Sequence, residues 1–235
     1  MLMSPSCRVS TEHSDYDNLG SNSEVVIRKR ADGTVSSVNQ VDESGMVDGI
    51  RVTFYGDGKT TYSRTTFSHG IKQGPAVRYY RNGQVFEHSG YQDGKKQGPA
   101  RKFYMNGTLM AEYTYDQGIV QPGLEEFDRQ GVLIDDYPEI KFREFDHLAS
   151  RNRIDLEMYC TRKGIGVKYY RRITDMGNQS RVYLISEKGS AMLQFYVKPG
   201  ETINENIEIT AEIPTELGNI LVKNLSYKLI VSNPG

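Results

Sequence analysis

Apolar and polar residues alternate along short runs in the first half of the chain, as in Val77 to Arg81 and Gln84 to Tyr91, and glycines close each run. A period of two places successive side chains on opposite faces of a strand. The runs are rich in β-branched and aromatic residues, which suit a pleated surface. The glycines keep a regular beat. Asp32-Gly33, Asp57-Gly58, Asn82-Gly83, Asn106-Gly107 and Gln130-Gly131 recur every 24 or 25 residues. A second series runs Gly45, Gly70, Gly94 and Gly118, and a third runs Gly49, Gly74, Gly98 and Gly123, the last one residue late. An aromatic residue precedes the last four of these turns at Phe54, Tyr79, Phe103 and Phe127. Together these series define an internal repeat. Asx-Gly pairs supply positive φ at both central positions of a type I′ turn, so each repeat is predicted to be a two-residue β-hairpin. One hairpin cannot bury an apolar face alone, and the repeats are expected to stack into a sheet with an aromatic ladder. The units before Gly45 and after Gly118 are degenerate, as capping units are.

Beyond about Pro138 the beat stops. Strands are predicted at Arg153 to Cys160, Val167 to Ile173, Arg181 to Ser186, Ala191 to Val197, Ile203 to Ile213 and Leu225 to Ser232. Short strands separated by Gly, Pro and Asn suggest a β-sandwich of immunoglobulin-like type. Helical periodicity is almost absent. The chain is therefore expected to be all-β: a sheet of stacked hairpins over 24–137 and a sandwich over 138–235. Residues 1–23, rich in Ser, Asn, Asp and Thr, read as a flexible arm.

The clearest pair of units is Gly74-Pro75-Ala76-Val77-Arg78-Tyr79-Tyr80-Arg81-Asn82-Gly83 and Gly98-Pro99-Ala100-Arg101-Lys102-Phe103-Tyr104-Met105-Asn106-Gly107. This pattern resembles the MORN-repeat variant of the bacterial YwqK family, which carries the label of antitoxin in a toxin–antitoxin system. The resemblance covers roughly Ala31 to Tyr137. Ala76 and Ala100 stand where many MORN units have Trp. The resemblance implies a non-enzymatic, protein-binding hairpin sheet, in the bacterial cytoplasm unless the chain is anchored. The stretch Met1 to Cys7 also loosely resembles the clipped end of a signal sequence, with Cys7 as a lipid anchor, and this alternative implies a lipoprotein of structural role in the cell envelope.

Composition narrows the function classes. The chain has 235 residues, a formal net charge of −1 and no Trp, which excludes a strongly basic nucleic-acid binder. No apolar stretch approaches the roughly 18 residues that span a bilayer. Charge is unevenly spread, however. Residues 71–105 carry seven basic and two acidic side chains, and residues 106–146 carry three and ten. In the basic block Arg78, Arg81, Lys95, Lys96 and Lys102 interleave with Tyr80 and Tyr104, and these seven residues form the candidate binding surface. Such interleaving suits a protein partner first and anionic lipid second. The opposed patches also invite self-association.

Candidate chemistry is sparse. With two cysteines, Cys7 and Cys160, the sequence has neither a disulfide framework nor a Cys-x-x-Cys pair. Cys160 reads as a small buried apolar residue. The four histidines have no short-spaced pair, and His69 and His88 read as surface positions. Nucleophile-elbow and phosphate-loop patterns are missing. The carboxylates Glu125, Glu126, Asp128, Asp135 and Asp136 read as a solvated acidic edge. No enzyme activity, metal or cofactor is expected.

Overall fold

A computed structural model describes residues 24–175 and 178–235. The predicted arm at 1–23, including Cys7, lies outside the described residues. The chain divides into two compact units, with the boundary between Lys96 and Gln97. The first contains β1 (Glu24–Lys29), β2 (Val35–Val41), β3 (Val47–Phe54), β4 (Thr61–Ser68), β5 (Ile71–Tyr79), β6 (Val85–Gln92) and β7 (Lys95–Lys96). Each strand pairs antiparallel with the next in sequence. Two small apolar clusters, Val38–Val52–Phe54 and Val41–Val47–Phe67, support the early hairpins.

The glycines of all three series have positive φ, yet the turn types differ from those predicted. At Asn82-Gly83 the Gly83 N–H donates to Tyr80 O (3.0 Å) and the Tyr80 N–H to Gln84 O (2.8 Å). Only Gly83, at φ +84°, enters the left-handed region. This is a type I turn followed by a glycine, a three-residue hairpin loop rather than a two-residue one. Asn82 Oδ1 holds the loop by accepting the Gln84 N–H (3.1 Å). In the equivalent loop the Lys59 and Thr60 N–H groups hold the Asp57 carboxyl down to about 2. The predicted type I′ geometry occurs in the second series instead. His69-Gly70, Asp93-Gly94 and Gln117-Gly118 have both residues at positive φ. Each strained N–H is caught by a side chain that precedes a third-series glycine. Asp48 Oδ1 accepts from His69 (3.3 Å), Gln73 Oε1 from Asp93 (2.9 Å) and Gln97 Oε1 from Gln117 (2.8 Å).

Gly83 has nothing within 4 Å of a built Cβ, so Gly83→Val introduces backbone strain alone. It should cost about 1–2 kcal/mol in thermal or urea unfolding. Gly189→Val, whose Cβ would lie 2.7 Å from Ile165 O at φ +84°, should cost clearly more. Equal stability of wild type and Gly83→Val would contradict the turn assignment.

Side chains also tie one repeat to the next. Arg30 Nη2 donates to Phe54 O (2.7 Å), Tyr55 Oη to Tyr79 O (2.7 Å) and, in the second unit, Tyr104 Oη to Phe127 O (2.8 Å). These residues occupy equivalent positions, so the tie is a property of the repeat.

The second unit begins with the last hairpins: β8 (Gly98–Phe103), β9 (Leu109–Asp116), β10 (Ile119–Val120), β11 (Glu125–Phe127) and β12 (Leu133–Ile134). There follow β13 (Ile140–His147), the single turn α1 (Leu148–Arg151), β14 (Arg153–Cys160), β15 (Lys168–Asp175), β16 (Asn178–Tyr183), β17 (Ser186–Glu187), β18 (Ser190–Tyr196), β19 (Thr202–Pro214) and β20 (Ile220–Ser232). They form two four-stranded sheets, ordered β13-β14-β18-β17 and β16-β15-β19-β20. With the strands lettered in chain order, these are A-B-E-D and C′-C-F-G, the order of an immunoglobulin-like sandwich. Leu156 and Met158 from one sheet and Tyr169, Ile207, Ile209 and Leu229 from the other meet in one core. Ala100, Ala111, Tyr113 and Leu124 join that core. The last hairpins thus belong to the same compact unit as the sandwich. Among the described residues no helix is long and apolar enough to cross a membrane.

Candidate functional site

Strand register builds a distinct face on the first unit. One cross-strand row reads Asn39, Arg51, Thr65, Ala76 and Ser89. A second row, two residues along and on the same face, reads Ser37, Thr53, Ser63, Arg78 and Glu87. Small and hydroxyl-bearing residues dominate both, so long cationic side chains can lie across the surface. The Arg51 guanidinium sits 4.7 Å from the Phe67 ring centre, Lys72 Nζ 4.8 Å from Tyr91, and the Arg78 guanidinium 4.8 Å from Phe86. Stacking on an aromatic face fixes a cation without neutralising it. Arg51 Nε also donates to Asn39 Oδ1 (2.6 Å). Burial and the neighbouring charge of Arg28 hold the Arg51 group below its ordinary value.

The seven residues of the predicted binding surface differ in environment, five lying in the first unit and two in the second. Arg78 Nη2 (2.6 Å) and Lys96 Nζ (2.5 Å) converge on Glu87, whose side chain is buried. Tyr80 packs edge-on against Phe86. Arg81 extends into solvent over the Tyr55 ring and pairs loosely with Asp57 (3.7 Å). Lys95 is exposed. In the second unit Tyr104 bonds the Phe127 carbonyl, and Lys102 Nζ donates to Asn219 Oδ1 (2.5 Å). Arg81 and Lys95 are thus the members that face solvent most fully. Sequence reasoning did not nominate Arg51 or Lys72, each of which stacks on an aromatic ring of the adjacent strand, Phe67 and Tyr91.

The acidic edge also differs from its expected form. Glu126 is 1% exposed. Its Oε1 accepts from Thr215 Oγ1 (2.6 Å) and Asn219 Nδ2 (2.6 Å), and its Oε2 from Tyr137 Oη (3.1 Å). Burial, and then the Glu126 charge, push the Tyr137 hydroxyl above its usual value. β11 puts the carboxylate inward because strand alternation sends Glu125 to solvent and Glu126 to the sandwich. A cavity of about 460 Å³ adjoins this network, lined by Ile134, Pro138, Ile165, Ile213 and Leu217, with Arg162 ion-paired to Asp136 and Glu216 at its wall. Every oxygen of Glu126 is engaged, so the network reads as a joint between the last hairpin and the sandwich.

Asp42, Asp48 and His69 place ligand atoms within 4.8 Å of one another. Asp42 Oδ1 already accepts from the Ser44 and Met46 N–H groups and the Ser44 hydroxyl, and these bonds lower its pKa. The arrangement serves the turn. Cys160, expected to be buried, is only partly so.

No family model matches the chain, and neither a curated protein nor a solved structure does.

Proposed function

We propose that the protein is a non-enzymatic scaffold whose MORN-like hairpin repeats hold an acidic segment of a partner protein. The observation that carries this reading is the face of the first unit on which Arg51 and Lys72 lie across the sheet on aromatic rings. Cations already seated on aromatic rings lose little freedom when a carboxylate arrives. The resemblance of the repeats to the YwqK type supports the same reading, with a toxin as one form of partner.

The test is calorimetric titration of the full chain with a poly-glutamate peptide and, separately, with phosphatidylserine vesicles. Peptide binding should weaken about tenfold on combining Arg51→Glu with Lys72→Glu, and should fall with added salt. Unchanged peptide affinity in that variant would overturn the proposal. Preferential binding to vesicles would replace it with the anionic-lipid alternative.

A further inference from the structure

The first strand of the repeat array is unusual in being exposed along its whole length. Val25, Val26 and Ile27 are 44%, 36% and 39% exposed, although three consecutive apolar residues in an outermost strand are normally avoided or blunted by charge. Among the described residues β1 pairs only with β2.

The backbone of β1 is oriented for a further partner. Val26 O accepts from Asn39 Nδ2 (3.1 Å) and Arg28 O from Ser36 Oγ (3.0 Å), both donors being on β2. The carbonyls of Val26 and Arg28 therefore point into the sheet. By alternation the N–H and C=O groups of Val25 and Ile27 point out of it.

We propose that β1 pairs antiparallel with β1 of a second copy of this chain, about a two-fold axis perpendicular to the sheet that passes beside Val26. Such an axis preserves the sheet faces, so opposed residues must share a face and their numbers must differ by an even amount. The register centred on Val26 satisfies this rule. Val25 then exchanges both backbone hydrogen bonds with Ile27 of the second copy, and Val26 meets its own counterpart. Glu24 lies opposite Arg28 of the second copy, and Arg28 opposite Glu24.

Charge complementarity selects the second copy as occupant. Glu24 and Arg28 share one face but lie about 13 Å apart along their own strand, too far to pair within it. Across the two-fold they become directly opposed, in the pairs where side chains approach most closely. The alternative register centred on Ile27 sets Glu24 opposite Arg30, whose guanidinium is already bonded to Thr34 Oγ1, Val35 O and Phe54 O of its own chain, and sets Arg28 against Val26. The Val26-centred arrangement is the one that opposes Glu24 to Arg28 in both directions while also pairing the outward backbone groups of Val25 and Ile27. A six-residue contact is small for a stable dimer, so association should depend on protein concentration.

Sedimentation velocity on the full chain, from low micromolar to millimolar protein, tests the pairing. A monomer–dimer equilibrium is expected. Arg28→Glu should weaken it about tenfold or more by opposing two carboxylates twice. The double variant Glu24→Arg with Arg28→Glu should restore it, because the opposed charges are exchanged. Restoration distinguishes strand pairing from a general loss of fold, which the double variant would not repair. A concentration-independent monomer would overturn the proposal, whether the outer edge is left open or covered by the chain's own N-terminal segment. Association that persists in Arg28→Glu would overturn it as well.

Discussion

Glu126→Ala is expected to destabilise the protein by about 3–5 kcal/mol, the largest effect of any single polar substitution considered. Removing the carboxylate strands the hydroxyls of Thr215 and Tyr137 and the Asn219 amide, all of which donate to it. Each buried donor left without a partner costs roughly 1–3 kcal/mol. A cavity the size of the lost side chain adds to the total. Lys102 Nζ, which donates to Asn219, loses the far end of its network as well. Glu126→Gln conserves volume but turns one acceptor into a donor that faces other donors, so it should fall between Ala and wild type. Urea unfolding followed by far-UV circular dichroism reads all three. A loss below about 1 kcal/mol for Ala would mean that the joint between hairpin and sandwich does not depend on this carboxylate.

Lys96→Glu is expected to cost about 2–4 kcal/mol, whereas Lys95→Glu should stay within about 0.5 kcal/mol of wild type. The two lysines are adjacent in sequence, yet strand alternation turns them to opposite sides. Lys96 reaches Glu87 at 2.5 Å, and that carboxylate is 4% exposed. Reversing its charge replaces an attraction in a poorly solvated place with a repulsion. Arg78, at 2.6 Å from the same carboxylate, keeps the loss below that of a fully orphaned buried charge. Lys95 is exposed. Denaturant midpoints measured side by side give the answer, and equal midpoints for the two variants would contradict the assigned orientation of β7.

Much of the fold was legible because its signals are local. Strand β14 spans the predicted Arg153 to Cys160 residue for residue, and the glycine series mark positions that do take positive φ. The turn type was not legible from the glycines alone. It depends on which neighbour captures the strained N–H, and for His69, Asp93 and Gln117 that neighbour lies about twenty residues earlier. The site was less readable for the same reason. Lys102 and Glu126 look like members of a basic and an acidic surface until Asn219, 117 and 93 residues away respectively, is placed between them. Lys96 resembles Lys95 until Glu87 is seen to be buried. Charge runs in a sequence report composition, but which side chains are spent inside the protein depends on face and on distant partners.

The ties from Arg30 to Phe54, from Tyr55 to Tyr79 and from Tyr104 to Phe127 each reach only as far as the following repeat. Such bookkeeping between neighbours makes the array modular in descent. Duplication or loss of one whole unit leaves every surviving donor with an acceptor in the right place, while insertion of a single residue within a unit puts both the tie and the turn capture out of step. Gene rearrangements that preserve the unit length are therefore the ones this architecture tolerates, and the number of hairpins becomes a quantity that lineages can vary without redesigning any one of them. The late arrival of Gly123 shows where that freedom ends, at the unit whose next strand turns Glu126 into the sandwich.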